Sequence, residues 1–199
     1  SYAQLPLSKG GEAGWGAFVA IDGDRKEFSN GGGTGGLVPV LWPGKQVDLN
    51  SLTPAQVVEG RASAFAKMYE AGDPNLAPFF ARGGKLLMWH GESDPGPSPV
   101  GTIDYVEAVK RTDPRGAANG LQMFLAPGVG HCAGGPGADQ VDVLGALDNW
   151  VSAGKAPETL VAKKADGSMV RPLCAWPKVA HYTGSGDVND PKNYSCVAR

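Results

Sequence analysis

A chain of 199 residues, 42% of them hydrophobic, can form one large domain or two small ones around a core. Its net charge of -2 and pI near 5.9 give no reason to expect nucleic acid or an acidic membrane surface as partner, and no apolar run approaches the roughly 20 residues that a membrane helix needs. Thirty Gly and sixteen Pro, without a repeat or a low-complexity tract, predict many turns and loops rather than disorder.

The opening Ser1-Tyr2-Ala3-Gln4 has neither the basic nor the apolar region of a signal peptide and no initiator Met, so the chain is expected to begin inside a longer protein. Residues 1–50 read as irregular, with Gly packed around aromatics from Gly10 to Phe18 and a second Gly cluster from Asn30 to Gly36. That cluster runs into Leu37-Val38-Pro39-Val40 rather than Gly-Lys-Ser/Thr and a helix, so it is a loop and not a phosphate cradle. Asp22-Gly23-Asp24 lacks the further oxygen ligands of a calcium loop and reads as a turn. Thr53-Pro54-Ala55-Gln56 is a capping box with Pro at the first helical position. It predicts a helix from Pro54 to Ala71 that buries Val57, Val58, Phe65 and Met68 and stops at Gly72-Asp73-Pro74. The boundary is placed here, between a loop-rich segment 1–72 and an α/β segment 73–199.

Lys85–Trp89 reads as a buried strand running into a sharp loop, His90-Gly91-Glu92-Ser93-Asp94-Pro95. Ser98-Pro99 then caps a helix to about Lys110, with Val100, Ile103, Val106 and Val109 inward, ended by Thr112-Asp113-Pro114-Arg115-Gly116. A second strand, Leu121–Ala126, enters the loop Pro127-Gly128-Val129-Gly130-His131-Cys132. Strand, helix, strand is a right-handed crossover, so the two strands should be parallel. A last helix is predicted over Asp139–Ala153, with Val143, Leu144, Leu147, Trp150 and Val151 inward and Gly154 past its end. The tail, Lys155 to Arg199, is read as one surface strand plus loops.

Two strands of one sheet thus each end in a Gly/Pro-rich loop that presents a catalytic-type side chain, Asp94 and then His131, 37 residues on. Either alone is an ordinary loop residue; together, in this order, they fit the last two members of a hydrolase triad, in which His takes the nucleophile's proton and Asp fixes its tautomer. The nucleophile is not found: G-x-S-x-G is absent, and Gly91-Glu92-Ser93-Asp94-Pro95 imitates it with Pro in the fifth place. Ser1 is conceivable as an amino-terminal nucleophile, but Tyr2-Ala3-Gln4-Leu5-Pro6 is a poor opening strand. His90 ends the first strand, where it can bond the loop beneath Asp94, and His181 lies in the tail; with His131 and Cys132 they lack zinc-ligand spacing, so no metal site is assigned. Cys174 and Cys196, 22 apart in a turn-rich tail, are the natural disulfide. Cys132 is left over, either as a buried free thiol or as one end of a disulfide to another chain or segment.

The stretch from Asp73 to Glu158 resembles the tannase and feruloyl esterase family, which includes the mono(hydroxyethyl) terephthalate hydrolases. The resemblance is carried by Asp73-Pro74-Asn75-Leu76, Arg82-Gly83-Gly84-Lys85-Leu86-Leu87, His90-Gly91, Asp94-Pro95, Thr102-Ile103-Asp104-Tyr105, Pro127-Gly128, Gly130-His131-Cys132, Gly134-Gly135-Pro136-Gly137 and Trp150-Val151 with Gly154-Lys155-Ala156-Pro157-Glu158. Gly10-Gly11-Glu12-Ala13-Gly14-Trp15-Gly16 matches more weakly, and the pair Cys174 and Cys196 fits the family's C-terminal disulfide. The resemblance implies the C-terminal part of an α/β-hydrolase core preceded by part of a lid, with Asp94 as triad acid and His131 as base. It implies that Cys132 bonds a Cys beside the nucleophilic Ser, and it offers Trp15 as a wall of the substrate pocket. A lid calcium site, where relatives have one, has no matching Asp-rich loop in this chain, and no cofactor is required. The reading is therefore a C-terminal fragment or subunit of a secreted or periplasmic serine esterase acting on small aromatic (feruloyl or galloyl) esters. Its partner is an amino-terminal chain or segment carrying the Ser; a non-catalytic binding module is the alternative.

Overall fold

Leu86 to Gly91 and Leu121 to Ala126 are almost wholly apolar, the pattern of strands covered on both faces. In the computed structural model, which describes Gly10, Gly11 and residues 38–48, 51–131 and 133–199, they form β1 (Leu86–Gly91) and β2 (Leu121–Ala126). The two are parallel, with Leu86 opposite Leu121 and Gly91 opposite Ala126, as the crossover requires. Strand alternation sorts their side chains into two cores. Leu87 and Trp89 pack with Phe124 and Ala126 on one face, against Val129, Leu160, Ala162 and Leu173. Leu86 and Met88 pack with Leu121 and Met123 on the other, against Val106, Val109 and Ala117.

The crossover begins with α5 (Pro99–Thr112), capped by Ser98, whose side chain accepts from the Val100 N–H, and with Pro99 in the first turn. Val106 and Val109 are buried and Ile103 packs beside them, as the three-residue spacing predicts. Thr112–Gly116 does end this helix, but it also starts another that was not expected, α6 (Pro114–Gly120). Asp113 accepts from the Gly116 N–H at 2.9 Å with Pro114 behind it, so the same residues that stop one helix cap the next. A short helix, α4 (Ala77–Ala81), precedes β1.

After β2 the chain forms β3 (Gln140–Val141) and then α7 (Val143–Ala153). The helix starts later than predicted because Asp142 is the cap, accepting from the Gly145 N–H at 2.8 Å, and Gln140–Val141 is drawn into pairing with Lys163 and Ala162. Trp150 is buried and Val143 packs on the core, but Leu144 and Val151 are 77% and 64% exposed. The helix carries two apolar rows, and the sheet covers the one through Val143, Ala146 and Trp150. Gly154 ends it at φ 70°, the left-handed conformation that glycine adopts without strain.

The tail holds more strand than expected: β4 (Thr159–Lys163), β5 (Val170–Cys174), β6 (Lys178–Tyr182) and β7 (Tyr194–Ala198). β3, β4 and β5 make one antiparallel sheet, and β6 and β7 a hairpin-like pair. Pro172 within β5 obscured this in the sequence, because Pro reads as a strand breaker. A disulfide joins Cys174 to Cys196, Cα atoms 5.7 Å apart, as predicted. Just after Cys174, Ala175 bridges Phe124, and the Trp176 N–H donates to the Met123 carbonyl at 2.8 Å, so the tail closes the flank of β2.

The described residues before Pro74, other than Gly10 and Gly11, belong to a second compact unit. It contains α1 (Val38–Leu41), α2 (Pro54–Ala62) and α3 (Ala64–Tyr69). The capping box at Thr53 and Gln56 is present. The single helix expected over Pro54–Ala71 is split at Ser63, whose backbone is extended (ψ 154°) and whose side chain accepts from the Ala66 N–H at 3.0 Å. The break turns the apolar stripe, so Val58 and Met68, expected inside, are exposed. Trp42 forms the buried centre instead, lying on Gly60 and donating from Nε1 to the Gln56 carbonyl. No helix among the described residues is long and apolar enough to cross a membrane.

Candidate active site

The carboxyl ends of β1 and β2 are knitted together by their backbones. The Glu92 N–H donates to the Ala126 carbonyl at 2.9 Å and the Ser93 N–H to the Val129 carbonyl at 3.0 Å. Gly91 makes this approach possible. A Cβ there would stand 2.3 Å from the Val129 carbonyl oxygen and 2.6 Å from that of Gly130, both backbone atoms of the loop that carries His131. Asp94 then turns back, its N–H donating to the Gly91 carbonyl and its Oδ1 accepting from the Gly96 N–H at 2.8 Å. The result is a carboxylate that is only 4% exposed yet anchored on two sides.

Its Oδ2 lies 2.9 Å from His131 Nδ1. A carboxylate oxygen accepts, so Nδ1 donates and the bare Nε2 is left for another proton. His131 is 46% exposed at its side chain against 5% for Asp94, an open base backed by a buried acid. The His131 loop is braced separately: Gly130 N–H to Gly134 carbonyl, Gly137 N–H to Gly128 carbonyl, Gly134 N–H to Asp139 Oδ2 at 2.8 Å and Lys164 Nζ to the Gly135 carbonyl at 2.6 Å. The Gly134 bond, with the Lys164 charge behind it, holds the Asp139 carboxyl below the usual carboxylate range.

A cleft of about 170 Å³ opens at the pair, lined by Trp89, His90, Gly91, Asp94, Pro97 and His131. Larger hollows of about 750 Å³ and 410 Å³ lie along β3, β4 and α7 and under β5 and Tyr194; neither reaches Asp94 or His131. A pocket that encloses an aromatic ester needs some 300 Å³ or more. The cleft therefore has room for the reacting group but not for a whole substrate.

Asp94 and His131 are thus brought together as the sequence expected. Ser93 is buried, its Oγ 2.9 Å from where a Cβ on Gly10 would stand, and it does not line the cleft. Among the described residues no group of three or more His, Cys, Asp or Glu is arranged to hold a metal ion. His181 is exposed on β6. Ser1, Trp15 and Cys132 lie outside the described residues. Trp89 and Gly91 were not singled out from the sequence, although both sit in the strand end that presents Asp94.

A family model described as "Tannase and feruloyl esterase" matches residues 21–197. Over 134 residues the chain is 42% identical to a mono(2-hydroxyethyl) terephthalate hydrolase of Piscinibacter sakaiensis, a match covering 64% of this chain and 22% of that protein. It is 37% identical over 162 residues to a probable feruloyl esterase of Arthroderma benhamiae, covering 75% of this chain and 30% of the relative. Among solved structures, feruloyl esterase B from Aspergillus oryzae superposes with a TM-score of 0.66 at 26% identity, over 80% of this chain and 36% of that one. The chain thus spans less than a third of the length of these two curated relatives.

Proposed function

Since the chain belongs to the tannase and feruloyl esterase family, we propose that it supplies the acid and base of a serine carboxylic-ester hydrolase, with Asp94 as acid, His131 as base and the nucleophilic Ser on a preceding segment or separate chain. The observation that carries this is the 2.9 Å contact from His131 Nδ1 to Asp94 Oδ2, with the imidazole open and the carboxylate buried. His131 Nε2 takes the proton of the Ser hydroxyl as it attacks the ester carbonyl, and Asp94 steadies the imidazolium that forms. The imidazolium then protonates the departing alcohol. Water repeats the sequence on the acyl-enzyme, and the acid product leaves. These steps need no cofactor beyond the side chains.

The substrate class is a small aromatic ester of the feruloyl or galloyl kind. The restricted cleft supports a pocket completed by other residues. The edge of β1 away from β2 has no paired strand among the described residues, which supports a core continued by another segment. Cys132, beside the base, is assigned as a tether to a Cys next to the Ser. The Cys174–Cys196 disulfide supports a secreted or periplasmic location, since such bonds persist in oxidising compartments.

Turnover of methyl ferulate and methyl gallate by the full-length protein tests the reading. His131→Ala and Asp94→Ala are each expected to lower kcat by roughly four orders of magnitude without changing the fold measured by circular dichroism. Turnover retained by either variant overturns the acid–base assignment. Peptide mapping before reduction is expected to recover Cys132 linked to a peptide containing the nucleophile; a free Cys132 thiol overturns the tether.

A further inference from the structure

The turn that carries Asp94 is tied to the tail by a side chain that the mechanism above does not use. Glu92 stands two residues before Asp94, and its Oε1 lies 2.7 Å from Nη1 of Arg199. The Arg199 guanidinium also lies over the Trp176 ring, 5.7 Å from its centroid. Trp176 is itself fixed at both ends: its backbone N–H donates to the Met123 carbonyl of β2 at 2.8 Å, and its indole N–H donates to Glu107 Oε1 of α5 at 2.9 Å. The Lys110 ammonium, 2.9 Å from the same oxygen, holds the Glu107 carboxyl below the usual carboxylate range, so it stays an ionised acceptor for the indole.

The disulfide explains why the ring and the guanidinium meet. Trp176 follows Cys174 by two residues and Arg199 follows Cys196 by three, so the Cys174–Cys196 bond brings both segments to one place. An exposed ion pair alone contributes little, because water competes for both charges. This one differs in geometry. The Glu92 side chain is 24% exposed, and a planar guanidinium stacked on an indole has less freedom to lose when it bonds a carboxylate. Arg199 is held by the ring on one side and offered to Glu92 on the other.

We propose that Arg199 is a positioning residue for the acid-bearing turn: spread on Trp176 and paired with Glu92, it pins residues 91–94 to the disulfide-held tail and so keeps Asp94 in register with His131. The inference rests on the reading of Asp94 and His131 as acid and base. The backbone bonds from Glu92 to Ala126 and from Ser93 to Val129 join the two chemistry-bearing loops to each other. The Arg199 pair joins one of them to a fixed body outside both. Without it the turn keeps its backbone bonds but gains freedom to rock about them, and small displacements within a catalytic pair slow proton transfer steeply.

The test uses the full-length protein with methyl ferulate. Arg199→Ala is expected to lower kcat about 10-fold with little change in KM, since the acid is displaced and no substrate contact is lost. Glu92→Ala should give a similar loss, and the double variant should lose no more than either single one, because all three remove one interaction. Arg199→Lys keeps the charge without the planar stack and should recover part of the loss. The low-field proton resonance of the His131 Nδ1–H, which reports the contact with Asp94, should shift or broaden in Arg199→Ala while circular dichroism stays unchanged. Unchanged kcat in Arg199→Ala, single losses that multiply in the double variant, or a loss confined to KM overturns the proposal. So does an unaltered His131 resonance in a variant with lowered kcat, and so does a changed circular dichroism spectrum, which would make Arg199 a part of the fold rather than of the site. If turnover survives His131→Ala or Asp94→Ala, the acid–base reading itself has failed; if those two abolish it and Arg199→Ala matches the wild type, only the positioning role has failed.

Discussion

β1 and β2 have similar sequences, equal lengths and one shared register, yet they end up in different environments. In β2, Leu121, Met123, Phe124 and Ala126 are buried, Phe124 completely. In β1 only Gly91 is buried; Leu86, Leu87, Met88, Trp89 and His90 are all half-buried. The difference follows from what flanks each strand. The outer edge of β2 is closed by Ala175 and Trp176, which the disulfide at Cys174 holds in place. The outer edge of β1 meets no strand among the described residues. An apolar strand at the rim of a sheet is a template for pairing. The exposed row through Leu144 and Val151 on α7 is a second uncovered apolar surface. The Asp94–His131 pair thus stands on two parallel strands, one flank closed by the tail and the other unpaired among the described residues.

The largest expected effect lies in the centre of β2. Phe124→Ala should cost the 199-residue chain about 3–5 kcal/mol in urea unfolding, the usual penalty for emptying a buried aromatic site. Leu87→Ala, on the same face of β1, should cost only about 1–2 kcal/mol because less of it is buried. Where another segment continues the core, as proposed above, the Leu87 penalty should rise toward that of a buried leucine. Equal penalties for the two would mean that β1 is as well covered as β2. Next in size, replacing Cys174 and Cys196 by Ser should cost about 3 kcal/mol, since the bond closes a loop of 22 residues. The Trp176 amide should then exchange faster, because its bond to the Met123 carbonyl depends on the same strap. Unchanged exchange there would mean that the flank of β2 is closed without the disulfide.

The two parallel strands, α5 and the terminal Gly154 were legible because each rests on a local signal: an apolar run, a three-residue stripe behind Ser98-Pro99, a glycine after the last helical turn. The pairing of Asp94 with His131 was legible because both follow strands that a crossover makes neighbours. What failed depended on choices between local signals. Ser63 could have continued a helix or capped a new one, and its hydroxyl took the Ala66 N–H. Asp113-Pro114 could have ended a helix or begun one, and it did both. Leu144 and Val151 share the helical period with Val143 and Trp150, and only the position of the sheet decides which row is covered. Gly91 was illegible for a different reason. Its need for a missing Cβ comes from the carbonyls of Val129 and Gly130, which are far away in sequence.

The smallest expected effect concerns the loop that carries His131 rather than the strands beneath it. The Asp139 carboxyl is held below its ordinary range first by the Gly134 N–H and then by the charge of Lys164. Its value is therefore lower in the folded chain than in the unfolded one. Between those two values the unfolded chain binds more protons, so lowering the pH favours unfolding. The stabilisation is fully present above the usual carboxylate range and is lost as the pH falls through the folded value. Asp139→Asn keeps an oxygen for the Gly134 N–H but removes the charge. The difference in Tm between the wild-type chain and this variant should favour the wild type at neutral pH and shrink as the pH falls below the usual carboxylate range. A difference that does not vary with pH would mean that the neutral acceptor alone braces the loop. Salt should reduce the difference at neutral pH, because Asp139 and Lys164 face solvent and charges there are screened within about 10 Å at 0.1 M ionic strength. If salt and acid both leave it unchanged, the Asp139 charge adds nothing to the His131 loop, and a neutral acceptor for the Gly134 N–H, with the Gly130–Gly134 and Gly128–Gly137 backbone bonds, is enough to shape it.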